Sequence, residues 1–191
     1  GERVIASRSL SRAKYEEADV VDILESSPDR IEPKCEVYGV CGGCSFQHLS
    51  GKNQIDAKQS WLKSAFIGQA KIEPKKWLQP LQVESWGYRR KARLGVRYVE
   101  KKEKVLVGFR ERKSSFITVM SRCEVLHPSL GDNLELLGEC IGKLSIKIHV
   151  PQIEVAIAEL DTILILRHHE PMTKTDESIL KEYGDKLAIT W

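Results

Sequence analysis

The sequence predicts an α+β fold: an N-terminal β-hairpin, then a larger domain with an antiparallel sheet, about three helices and a cysteine-rich loop. Three observations carry this. Short runs of alternating polarity dominate, most clearly Ala92, Leu94, Val96 and Tyr98 on one side against Lys91, Arg93, Gly95 and Arg97 on the other. Helical periodicity is confined to stretches set between such runs. Three cysteines fall within ten residues, in a stretch rich in glycine that has neither period.

The 191 residues make one large domain or two small ones, and the sequence divides at residues 1–30 and 31–191. Hydrophobic residues at 41% and charged residues at 30% describe a chain able to bury a core. No apolar run approaches the roughly 20 residues that span a bilayer, so no membrane partner is expected. The chain opens on Gly1-Glu2-Arg3-Val4, inside a strand-like pattern and without an initiator Met or signal peptide, and therefore reads as a fragment. Five cysteines, four of them with ligand-like spacing, point to a reducing cytoplasm rather than a disulfide framework.

Residues 2–12 and 15–25 read as two strands, ended by Ser26-Ser27-Pro28. Residues 26–49 form the cysteine loop. Ser50 caps a helix running to about Ile67, with Ile55, Leu62 and Phe66 at near-helical spacing and Gly68 as its stop. Residues 74–88 are irregular, with Pro74, Pro80, Trp77, Trp86 and Tyr88. The alternating strand from Lys91 to Tyr98 turns at Glu100–Lys104 into a second, Val105 to Arg110, and Phe116 to Met120 gives a short third. His127-Pro128-Ser129 opens a helix through about Gly142 with a stripe of Leu130, Leu134, Leu137 and Ile141. Strands are expected at 144–150, 153–159 and 162–168, a helix from Thr175 to Asp185, and a last strand from Leu187 to Trp191.

The chemistry gathers at Cys35, Cys41 and Cys44, spaced C-x5-C-x2-C, with Cys123 far downstream. Clustered thiolates repel one another and cost desolvation, so four of them call for a cation. Gly39, Gly42 and Gly43 permit the tight wrap this requires. Spacing alone leaves zinc and an iron–sulfur cluster open, since zinc sites favour two short Cys pairs and only one is present. Cys140, beside the stripe of its helix, reads as a buried core thiol. His168-His169 lacks a third ligand nearby and reads as surface or structural. No Ser, His and Asp spacing suggests a hydrolase.

Charge is also concentrated. Residues 74–113 carry 13 basic and 4 acidic side chains, against 10 and 11 before them and 7 and 12 after. Tyr88, Arg89, Arg90, Lys91, Arg93, Arg97 and Arg110 lie in this block among Trp86, Tyr98 and Phe109. Cations for phosphate interleaved with aromatic faces for splayed bases suggest single-stranded RNA.

The run Pro33-Lys34-Cys35…Tyr38-Gly39-Val40-Cys41-Gly42-Gly43-Cys44-Ser45-Phe46-Gln47-His48-Leu49 closely resembles the signature of the RumA/RlmD-type 23S ribosomal RNA (uracil-5-)-methyltransferases. Trp86 to Arg93, Gly108-Phe109-Arg110, Arg122 to Leu126 and Ile165 to His168 resemble that family too, in order along nearly the whole chain. The resemblance implies that Cys35, Cys41, Cys44 and Cys123 ligate a [4Fe-4S] cluster in a central domain, and that residues 1–30 are the last strands of a TRAM domain, an OB-like RNA-binding barrel. It implies 23S ribosomal RNA as partner and a monomeric, cytoplasmic enzyme. In that family a cysteine attacks C6 of a flipped-out uridine, and C5 takes the methyl group from S-adenosylmethionine. The S-adenosylmethionine-binding domain with that nucleophile and its general base is expected to follow Trp191, so no catalytic residue is assigned in this chain and alone it is expected to be inactive. The competing reading is a stand-alone zinc-stapled nucleic-acid-binding module; a ferredoxin-like electron carrier is opposed by the basic block.

Overall fold

The computed structural model describes all 191 residues, in two compact units that each draw on two stretches of sequence. Residues 33–47 and 79–191 make the sheet unit; residues 1–32 and 48–78 make the hairpin unit.

The sheet unit is built on β3 (Lys91–Val99), β4 (Lys104–Gly108), β5 (Gln152–Ile157), β6 (Thr162–Arg167) and β7 (Ile189–Thr190), in the order β4-β3-β5-β6-β7. All neighbours are antiparallel except β6 and β7, which run parallel. Alternation decides the faces. Ala92, Leu94 and Val96 of β3, Val105 and Val107 of β4 and Ile153, Val155 and Ile157 of β5 are buried, while Lys91, Arg93 and Arg97 stay exposed. The buried face meets α3 (Leu134–Gly142), which brings Leu134, Leu137, Cys140 and Ile141 into the same core. A Cβ on Gly138 would stand 2.9 Å from the Val105 carbonyl, so this residue sets how closely α3 approaches β4.

α4 (Lys174–Leu187) closes the unit. Thr173 and Asp176 form a reciprocal capping box at its start. The Asp176 carboxylate also accepts from the Ser145 N–H and hydroxyl, each at 2.7 Å, so one buried acid fastens a helix to a distant loop. These donors hold its pKa well below the usual aspartate range, the Thr173 backbone first.

Four expectations change here. The helix read from His127 to Gly142 breaks into α2 (Pro128–Gly131) and α3, because Asn133 folds its side chain back onto the Ser129 carbonyl at 3.1 Å. Residues 144–150 are a turn and a short 3-10 segment, Lys147–His149; Leu144, Ile146 and Val150 are buried as alternation predicts, without forming a strand. Phe116–Met120 makes a single bridge, Arg110 to Ile117, and not a third strand. The terminal strand shrinks to two residues after Ala188 ends α4 in the left-handed region.

In the hairpin unit, β1 (Arg3–Ser11) and β2 (Glu16–Glu25) pair antiparallel with three register shifts. Arg30 clasps Glu2 through two nitrogens, at 2.5 and 2.6 Å. That hydrogen bonding, joined by the Ser27 N–H, lowers the Glu2 carboxyl to about 2. α1 (Gly51–Ser64) starts where expected, with Ser50 Oγ accepting from the Asn53 N–H at 3.2 Å. Gly68 does not stop it: the helix widens into a π turn at Ala65–Ala70 and ends at Lys71 in the left-handed region. Its apolar side chains do not form a buried stripe; Leu62 is exposed and Phe66 meets the edge of Trp77 at 5.9 Å between ring centres. No helix of the protein is long and apolar enough to cross a membrane.

Candidate functional site

Residues 33–47 fold onto the sheet unit as a compact loop. Gly39 takes φ +92°, which only glycine adopts without strain. Gly42 donates its N–H to the Arg110 carbonyl at 2.8 Å, and Arg112 donates its own to the Val40 carbonyl at 2.8 Å. A Cβ on Gly42 would stand 3.0 Å from the Arg110 carbonyl oxygen, so the contact needs a glycine. Cys41 and Glu111 thereby form an isolated β-bridge, which locks the loop to the end of the β3–β4 hairpin.

The fourth thiol arrives on a separate segment. Cys123 donates its N–H to the Gly131 carbonyl at 2.8 Å, and a Cβ on Gly131 would lie 2.6 Å from the Cys123 carbonyl oxygen. α2 therefore seats against the Cys123 segment by backbone contact. The result brings the four predicted ligands together: Cys35, Cys41, Cys44 and Cys123 line one small cavity, with Gln47, Phe109 and Glu124 around it. None of the four is in a disulfide.

Burial raises the Cys35 and Cys123 thiols above their ordinary pKa, and the neighbouring cysteines add to the rise. Backbone N–H groups oppose it, from Val37 at Cys35 and from Leu126 and Val125 at Cys123. Gly43 similarly points its N–H at Cys41 Sγ, 3.4 Å away. Two sheltered thiols that resist ionisation, Cys35 and Cys123, with N–H donors at Cys35, Cys41 and Cys123, suit a bound cationic group that offsets the cost of clustered thiolates. No group of three or more His, Cys, Asp or Glu side chains is arranged to hold a metal ion in this structure.

A ring of polar groups, not singled out from the sequence, supports this cavity. Gln47 is buried and its Oε1 accepts from the Cys35 N–H at 3.1 Å. Glu124 is gripped by Lys34 at 2.7 Å and Arg122 at 2.8 Å. Arg112 donates to the Cys44 carbonyl at 2.6 Å.

The predicted RNA-contact residues divide. Lys91, Arg93 and Arg97 share the exposed face of β3, and Arg110 is exposed at the hairpin end. Arg93 stands opposite Glu154, which also binds Arg167 at 2.9 Å, so that end of the face is partly neutralised. Arg89 lies over the Phe109 ring at 4.7 Å, and Arg90 donates to the Ala158 carbonyl at 2.8 Å. Tyr88 is exposed, and burial of its hydroxyl, with a smaller contribution from Cys44, raises its pKa. Cys140 is a core residue, pushed up to about 11 by burial, and is not reactive.

No family model matches the chain. Individual relatives do. The chain is 60% identical to the 23S rRNA (uracil(1939)-C(5))-methyltransferase RlmD of Vesicomyosocius okutanii, over all of its 191 residues and 44% of that protein. The chain is a homologue of part of RlmD. The RlmD of Nitrosococcus oceani is 47% identical over 99% of the chain and 43% of its own length, and that of Ralstonia nicotianae 45% over 99% and 42%. The chain thus spans less than half the length of the RlmD proteins it matches, and the cysteine loop, Cys123 and the basic strand all lie within the part shared with RlmD.

Proposed function

We propose that this chain is the RNA-binding, cluster-holding part of an S-adenosylmethionine-dependent 23S rRNA (uracil-5-)-methyltransferase, with methyl transfer carried out by the rest of the full-length protein. The observation that carries the reading is 60% identity to an RlmD along the whole chain, joined to the convergence of its four cysteines. Cys35, Cys41, Cys44 and Cys123 would hold a [4Fe-4S] cluster. When bound, that group supplies a four-thiolate cross-link between the 35–44 loop and the segment leading into α2, which is a structural task.

The chain's own residues present the RNA. Lys91, Arg93, Arg97 and Arg110 neutralise phosphate along the exposed side of β3 and the adjoining hairpin end, and Tyr88 offers an exposed ring. A uridine must leave its stack before C5 can be reached, so a surface that grips unpaired RNA fits this chemistry. Residues 1–30 act as the closing strands of a TRAM barrel, and the full-length protein works as a cytoplasmic monomer.

The test is iron and acid-labile sulfide content of protein purified without oxygen, read beside binding of a 23S rRNA fragment. About four irons with equal sulfide, lost in Cys41→Ser, and RNA affinity that falls with salt are the expected results. One zinc per chain would overturn the cluster; absence of RNA binding would overturn the partner.

A further inference from the structure

The turn between Arg110 and Ile117 carries a feature that neither the core nor the cysteine site uses. Phe116 is 72% exposed, although the residues after it turn inward: Thr118 is buried, and Ile117 lies so close over β3 that a Cβ on Gly95 would collide with its Cδ1. The turn is ordered by its own bonds. Glu111 donates to the Phe116 carbonyl at 3.0 Å, and Phe116 donates to Ser114 Oγ at 3.0 Å. It is then fastened to the cysteine loop by the Gly42–Arg110 and Arg112–Val40 backbone bonds and by the Arg112 side chain on the Cys44 carbonyl. The Arg112 guanidinium also covers the Tyr38 ring at 5.6 Å.

Other large apolar side chains of the chain are exposed as well, Trp61 among them, but Phe116 is held outward by a turn ordered through its own hydrogen bonds. Its companions in the turn are Arg110, Glu111, Arg112, Lys113, Ser114 and Ser115, none of them apolar. A dry protein interface wants apolar neighbours around its anchor. A flat ring on a turn that also carries Arg110, Arg112 and Lys113 instead matches a base whose π-face stacks while its phosphates are neutralised.

We propose that Phe116 is the stacking platform for one unpaired nucleobase of the bound RNA, aimed by the cysteine loop to which its turn is fastened. This rests on the RNA-binding reading above.

The experiment titrates the full chain with an RNA stem–loop whose loop nucleotides are replaced one at a time by 2-aminopurine. The expected result is quenching at one loop position, abolished in Phe116→Ala together with a loss of affinity of about tenfold. Phe116→Tyr keeps both signals, and Phe116→Leu behaves as the alanine variant. Because the ring is exposed, these variants keep the fold. If wild-type protein binds the RNA while Phe116→Ala binds equally well, the platform is wrong and the RNA reading stands. Retention of affinity by Phe116→Leu also overturns it, since an apolar side chain without a stacking face then suffices for RNA binding. No binding by wild-type protein would overturn both.

Discussion

The hairpin unit and the sheet unit spend their apolar residues differently. In the sheet unit, side chains from β3, β4, β5, α3 and α4 form one continuous buried cluster. In the hairpin unit no residue is fully buried, and Val20, Val21, Leu24, Trp61 and Leu62 stand exposed. What orders it is polar: Arg30 on Glu2, Arg3 on Glu25, Arg8 on Glu16 and the Ser50 cap. Two strands and a helix without a shared core are marginal in water. The comparison teaches that regular secondary structure is no measure of local stability; burial of the intervening side chains is.

Four changes probe that contrast, in falling order of effect. Leu137→Ala removes a fully buried side chain from α3 and is expected to cost about 2–5 kcal/mol in urea unfolding, through lost transfer energy and the cavity left behind. Asp176→Ala takes away the capping box and the Ser145 anchor together, at about 2–4 kcal/mol. Because the folded pKa of Asp176 lies below its unfolded value, its contribution is complete above about pH 4 and is lost as pH falls through the folded value; stability curves of wild type and variant should converge in acid. Glu124→Gln strips Lys34 and Arg122 of their shared carboxylate and should cost about 1–2 kcal/mol, seen as faster amide exchange around Cys35 and Cys123. Val21→Ala, on a strand of the hairpin unit, should change stability by no more than about 0.5 kcal/mol. A larger loss there would mean that the hairpin's apolar residues are covered in solution, and the contrast would collapse.

Sequence patterns report burial more faithfully than backbone. The Lys91–Tyr98 alternation was legible because β3 has strands on both sides and one dry face. Leu144, Ile146 and Val150 alternate for the same reason, since all three enter the core, yet the backbone there turns and forms no strand. The split at Asp132–Asn133 depends on one side chain folding back on a carbonyl, a choice that periodicity cannot register. The four cysteines were legible as a set, but their support was not. Lys34, Arg112, Arg122 and Glu124 are scattered through nearly 100 residues and meet only in the fold.

The order in which the cysteine cavity is assembled also has a consequence in time. Cys123 lies 79 positions beyond Cys44 (123 − 44), although both line the same cavity. At about 5–20 residues per second, a ribosome needs roughly 4–16 s to supply the last thiol after the first three have been made. Throughout that interval the nascent chain carries three uncovered sulfurs without the segment that shelters them. Protection from oxidation during that interval therefore cannot come from the completed fold.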